Sequence, residues 1–135
     1  MPSDMGELLG AITLAGRPES ASAARAFVEK VLGDAHPALD DAKLLTSELV
    51  TNSAIHSDSR GGGEITVEIF KKVPQGSIRI GVIDKGSTSQ PYVRNAPDEV
   101  TGRGLFLVAA LSQRWGVTDH ESTREVWFEI DGGGT

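Results

Sequence analysis

Residues 42–57, AKLLTSELVTNSAIHS, predict one amphipathic helix and place the strongest constraint on the fold. On a wheel of about 100° per residue, four aliphatic side chains share an arc of roughly 140° that we expect to face the core. These are Leu44, Leu45, Leu49 and Ile55. Glu48, Asn52 and His56, spaced i, i+4, i+8, fall in the same arc. Because burying an unpaired carboxylate or amide is costly, this polar row indicates a functional site.

A simpler interpretation of the same helix is that it is rotated about its axis. Glu48 and His56 would then lie at the edge of the core and carry no chemistry. The helix alone does not separate the two interpretations, because a short wheel fits more than one orientation. Segments later in the chain favour the site.

Length and composition limit the class of protein. A chain of 135 residues can form one domain with a single core, and we expect its ends, 1–6 and 132–135, to be disordered. The net charge of −6 and the scattered Lys and Arg residues argue against nucleic-acid binding. The chain has no cysteine, and its longest apolar run, 105–111, is too short to cross a membrane. We therefore expect a soluble cytoplasmic protein.

The hydrophobic patterns predict an α+β fold, a two-layer sandwich with about three helices on one face of a sheet of about five strands. The sheet is expected to be mixed and mostly antiparallel, since the second and third strands alternate as a hairpin. The last helix is apolar on every side, so we expect it to be buried. The predicted strands are 8–14, 64–72, 77–84, 115–120 and 125–131. The predicted helices are a first one that Ser20 or Ser22 would cap and that runs to Leu32, and two more at 42–57 and 104–112.

Two further segments could carry chemistry. Asp84 continues the inward alternation of its strand, so its carboxylate should point toward the helices and need a donor there. The alternative is an ordinary turn-capping Asp before Gly86. Residues 101–105, TGRGL, place glycines before a helix whose free N–H groups could hold phosphate, although a plain loop is the alternative. The long stretch between them, 85–103, has no periodicity, which is typical of binding loops and lids.

The order of these segments resembles a known superfamily. The residues Glu48 to Asn52 with His56, Asp84 to Gly86, and Gly102 to Leu105 are similar to the N, first-glycine and second-glycine boxes of the Bergerat-fold, histidine kinase-like ATPases. The run ELVTNSAIHS most resembles the bacterial anti-sigma-factor serine/threonine kinases. The likeness extends from about residue 21 to residue 130.

The resemblance implies ATP and Mg²⁺ as cofactors and assigns the two helix residues their roles. Glu48 would be the catalytic general base that accepts the proton of the attacking hydroxyl. Asn52 would be the metal ligand that holds Mg²⁺ against the phosphates. His56 would lie at the rim of the pocket, or would be a satisfied histidine at the helix end.

The remaining boxes would bind the nucleotide. Asp84 would accept the adenine amino group, and Gly86 would let the backbone pass close to the base. The end of the ATP lid would hold the phosphates through backbone amides and a guanidinium. The lid residues are Gly102, Arg103, Gly104 and Leu105.

The resemblance further implies a function. It indicates a kinase that phosphorylates an anti-anti-sigma protein, binds a sigma factor and forms a homodimer near the N-terminal strand. Two departures favour the alternative of a non-catalytic ATP-binding switch. Thr88 occupies the place of a second glycine, and residues 122–125 contain Thr123 but no glycine where the family commonly has a glycine and a threonine.

Overall fold

The computed structural model describes residues 6–56, 63–72, 76–85 and 106–131. Every predicted strand and helix that falls in these ranges is present. The expected disorder of 1–5 and 132–135, and the predicted loop 86–103, lie outside the described residues. The strands are β1 Glu7–Ala15, β2 Glu64–Lys71, β3 Ile78–Asp84, β4 Arg114–Asp119 and β5 Arg124–Ile130; the helices are α1 Ser20–Leu32, α2 Leu39–His56 and α3, residues 106–111.

The sheet has five strands in the order β1-β2-β3-β5-β4. Each neighbouring pair is antiparallel, so the predicted hairpin of β2 and β3 is confirmed and no parallel pair occurs among the described strands. One face of the sheet is covered by the helices, which confirms the two-layer α+β fold. The residues of the central strands that belong to the hydrophobic core cluster are Ile65, Val67, Ile69, Ile78, Ile80, Val82, Val126, Phe128 and Ile130.

The predicted orientation of α2 is wrong in part. Leu45 and Leu49 are buried as expected, but Leu44 is 39% exposed and Ile55 is only partly buried. The buried face instead includes Val50 and small residues such as Ala42 and Ala54. A wheel that weighs only large aliphatic residues misses this face, because small side chains let a helix lie close to its neighbours.

The prediction that the last helix is buried on every side is also wrong. In α3, Val108 is fully buried and Leu107 packs partly against the core, whereas Phe106 is 69% exposed. In a two-layer sandwich the outer side of the helix layer faces solvent, so a helix there buries one stripe only. Among the described helices, none has the length and hydropathy needed to cross a lipid bilayer.

A charged cluster joins three strands on the sheet face away from the helices. The Glu129 carboxylate accepts hydrogen bonds from Arg114 at 2.8 and 3.1 Å and from Lys72 at 3.2 Å, with the Arg79 guanidinium at 3.5 Å. That guanidinium also lies 4.1 Å from the centre of the Trp127 ring. Burial would raise the pKa of Glu129, but the bonds from Arg114 and Lys72 outweigh it and lower the pKa.

The orientation of α2 can be tested with adjacent leucines. We predict that Leu45→Ala lowers the free energy of unfolding by about 2–5 kcal/mol, because it leaves a cavity in the core. The matched variant Leu44→Ala should cost less than about 1 kcal/mol, because that side chain is already partly exposed. Urea denaturation of both variants measures the difference. Equal losses would show that the helix is rotated toward Leu44.

The Glu129 cluster predicts a pH-dependent contribution to stability. A carboxylate whose pKa is lowered in the folded state contributes stability above its ordinary pKa of 4.5 and loses it as the pH falls through the folded value. We therefore expect Glu129→Gln to lower the free energy of unfolding at pH 7 by about 1–3 kcal/mol, with a smaller loss at pH 3. Glu121→Gln, at an exposed loop position, is the control. A loss that does not depend on pH would contradict this account.

Candidate functional site

The ends of α2 and β3 meet at one end of the sheet. The Ser20 hydroxyl, at the start of α1, donates to the Ala15 carbonyl, at the end of β1, at 2.6 Å. Near the other end of α1, Lys43 of α2 donates to Glu29 at 3.1 Å, so the two helices are antiparallel. The last turns of α2 therefore lie where β1 ends, β2 begins and β3 ends.

The polar residues of α2 lie along the flank of its buried face. Glu48 is partly buried, and Asn52, one helical turn later, is only 2% exposed. The side chain of His56, the last residue of α2, lies outside the described part of the structure. The rotated-helix interpretation thus describes Glu48, but it does not explain why an amide lies inside the core.

The amide of Asn52 is buried without a partner. Neither its oxygen nor its nitrogen has a hydrogen-bond partner among the residues that the structure describes. A buried polar group in this state costs roughly 1–3 kcal/mol, so its retention calls for a ligand or another function. An amide oxygen is also a ligand that Mg²⁺ accepts, and Mg²⁺ commonly uses few protein ligands together with substrate phosphates. Asn52 therefore fits the implied metal.

The described ranges contain no metal site built from several protein ligands. These residues contain no group of three or more His, Cys, Asp or Glu side chains arranged to hold a metal ion. Such a site is not needed for Mg²⁺ that is shared with a nucleotide. The donor set thus suits Mg²⁺ bound with phosphates better than a structural metal.

Asp84 is the last residue of β3 and is 3% exposed. It has the same inward parity as the buried Ile80 and Val82, as the sequence predicted. Its cross-strand neighbour on β5 is Arg124. The carboxylate therefore lies in the layer between sheet and helices, where it could accept hydrogen bonds from a ligand.

Arg124 is a buried residue of this region that sequence reasoning missed. It is 6% exposed, and its Nε donates to the Asp119 carboxylate at 2.6 Å. The alternation of Val126 and Phe128 on β5, continued two residues back, places Arg124 on the inward face. The alternation of β5 in the sequence is the signal that identifies Arg124 as an inward-facing residue.

Several predicted site residues cannot be placed. Gly86 and the lid residues Gly102 to Leu105 lie outside the described residues, as does Thr88. Thr123, which precedes β5, is partly buried, and its carbonyl accepts a hydrogen bond from the His120 amide at 2.8 Å. The structure therefore brings together the ends of the elements that carry Glu48, Asn52 and Asp84, and adds Arg124 beside them.

Comparison with known families decides the class of this domain. The sequence model of the histidine kinase-like ATPase domain matches residues 14–130. The chain belongs to this family. Membership in an ATPase family implies ATP binding, and it agrees with the three boxes on which the sequence resemblance rests.

Solved structures show the same fold in larger proteins. The histidine kinase domain of the blue-light activated histidine kinase EL346 from Erythrobacter litoralis superimposes with a TM-score of 0.52 and 17% identity over 85% of this chain. A second structure of that kinase gives a TM-score of 0.53 at 17% identity, again over 85% of this chain. The chain spans 60% of the first and 41% of the second. A search of curated proteins found no match.

The unpartnered amide makes a prediction that separates function from stability. We expect Asn52→Leu to abolish Mg²⁺-dependent ATP binding, while the free energy of unfolding without nucleotide is unchanged or rises by up to about 2 kcal/mol. The control is Thr46→Val on the same helix, since the Thr46 hydroxyl is also buried without a partner among the described residues. It should show the same gain in stability and unchanged ATP binding.

Urea denaturation and calorimetric titration check both variants. A clear loss of stability in Asn52→Leu alone would mean that the folded chain already satisfies the amide. Retained Mg²⁺-dependent binding in that variant would remove Asn52 from the metal site.

Proposed function

We propose that this protein is an ATP- and Mg²⁺-dependent serine/threonine kinase of the anti-sigma-factor type. The observation that carries the proposal is the buried amide of Asn52, which has no hydrogen-bond partner in the described part of the chain. It lies one helical turn from Glu48, at the sheet end where Asp84 is buried. A carboxylate beside a metal ligand is the arrangement that phosphoryl transfer requires, because transfer depends on positioning and charge neutralisation.

In this proposal α2 carries the reaction. The Asn52 oxygen holds Mg²⁺, which when bound offsets the negative charge of the phosphates. Glu48 accepts the proton of the attacking serine or threonine hydroxyl as the new P–O bond forms. The bond from the γ-phosphorus to the bridging oxygen breaks at the same time, and ADP carries away the electron pair.

The rest of the pocket binds the nucleotide. Asp84, which is buried at the end of its strand, accepts a hydrogen bond from the adenine amino group. By the resemblance, Gly86 would allow close approach of the base, and Gly102, Arg103, Gly104 and Leu105 would bind the phosphates as the end of the ATP lid. His56 lies at the rim of the pocket.

The partners in this proposal follow from the resemblance of ELVTNSAIHS to the anti-sigma-factor kinases. The phosphorylated substrate is an anti-anti-sigma protein, and the protein held inactive is a sigma factor. The kinase acts in the bacterial cytoplasm as a homodimer, without direct contact with nucleic acid or membrane. The net charge of −6 supports the absence of a nucleic-acid partner.

The general base can be tested by an isosteric change. We expect Glu48→Gln to reduce phosphoryl transfer about 10²–10⁴-fold, because the amide cannot accept the hydroxyl proton. Its affinity for ATP should change by less than about 3-fold, since the residue acts on the attacking group. Asp41→Asn, an exposed carboxylate in the first turn of α2, should transfer like the wild type. Radiolabelled phosphate transfer from ATP to candidate anti-anti-sigma proteins is the measurement.

Two outcomes of this experiment would change the proposal. Wild-type transfer by Glu48→Gln would show that another group accepts the proton. Tight ATP binding by the wild type without transfer to any candidate would favour the nucleotide-dependent switch over the kinase.

A further inference from the structure

Three charged residues form a row across the sheet at the end where Asp84 lies. Asp84 on β3 pairs with Arg124 on β5, and Arg124 pairs with Asp119 on β4. All three residues are on the helix-facing side of the sheet. Val82, two residues before Asp84, and Val126, two residues after Arg124, are both in the core, and Asp119 shares the side of its partner Arg124. Directly opposite residues on one face have Cβ atoms about 4.5–5.5 Å apart. Arg124 is therefore held between two carboxylates.

Burial makes this row specific. Asp84 is 3% and Arg124 is 6% exposed, whereas the Asp119 side chain is 61% exposed. A buried carboxylate needs a nearby cation, and a guanidinium offers five donors in a rigid fork. The hydrogen bond from the Arg124 Nε to Asp119 orients the guanidinium. The guanidinium of Arg124, a hydrogen-bond donor, therefore lies next to the carboxylate of Asp84, a hydrogen-bond acceptor.

We propose that Arg124 is a base-recognition residue that donates a hydrogen bond to the ring nitrogen N1 of adenine. This inference rests on the proposed function, in which Asp84 accepts the adjacent amino group. The adenine edge presents a donor, the amino group, next to an acceptor, N1. A carboxylate and a guanidinium side by side complement that pair and do not fit guanine in the same position, because guanine has the acceptor and donor exchanged.

The assignment also supplies a contact to adenine in a chain that lacks the glycine the family commonly has before the last strand. Thr123 precedes β5, and its carbonyl is used in the turn between β4 and β5. Arg124, one residue later, has the inward parity and the buried donor. In this chain the charged Arg124 would therefore make the contact to adenine that a threonine commonly makes in the family.

Calorimetric titration with ATP and 1-deaza-ATP, which lacks the N1 acceptor, tests the proposal on the intact chain. We expect the wild type to bind ATP about 10-fold or more tightly than 1-deaza-ATP, because the analogue lacks the acceptor for a hydrogen bond from the guanidinium. In Arg124→Gln the ratio should fall to within about 2-fold through weaker ATP binding. The matched control Arg114→Gln removes an arginine at the far end of β4 and should keep the wild-type ratio.

The outcomes separate this inference from the proposed function. Wild type that binds neither nucleotide overturns both. Wild type that binds ATP and 1-deaza-ATP equally, or Arg124→Gln that folds and keeps the full wild-type ratio, overturns the role of Arg124 alone. If Arg124→Gln does not fold, the ratio of the wild-type affinities for ATP and 1-deaza-ATP alone tests the role of Arg124.

Discussion

A two-layer sandwich has one interior from which water is excluded. Every polar side chain in that interior needs a hydrogen-bond partner, either from the protein or from a ligand. The inward faces of β3 and β5 are aliphatic over most of their length and become charged at one end, at Asp84 and Arg124, near the last turns of α2 that carry the buried Asn52. The cluster around Glu129, on the opposite face, is satisfied by its own cations. The Glu129 cluster therefore stabilises the sheet. The polar end of the interior holds an amide that has no hydrogen-bond partner among the described residues and that a ligand could use.

Most of the fold could be predicted from the sequence, because strand alternation is a strong local signal. Each strand was located to within one residue at each end, and the inward parity of Asp84 was correct. The rotation of α2 could not be predicted from its leucines. That rotation depends on where the small residues of the helix meet α1 and the sheet, which is a tertiary property. For the same reason, the apolar residues of α3 did not reveal that one of its sides faces solvent.

The site was predictable only in part. Asn52 and Asp84 stood out because each places a polar group at a position that its element should bury. Arg124 also occupies an inward position of its strand, but its place beside Asp84 depends on the pairing of β3 with β5, and residues 85–123 separate these strands in sequence. His56 and the lid residues Gly102 to Leu105 keep the roles that the resemblance implies, as predictions.

The central claim is that the polar end of the interior binds ATP through Mg²⁺. Isothermal titration of ATP and ADP, with and without Mg²⁺, on the wild type and on Asp84→Asn, tests it most directly. The account predicts ATP binding that requires Mg²⁺ and is weakened at least about 10-fold in Asp84→Asn, because the base loses a charged acceptor. A folded wild type that binds neither nucleotide would contradict the claim and would favour a role in protein interaction alone.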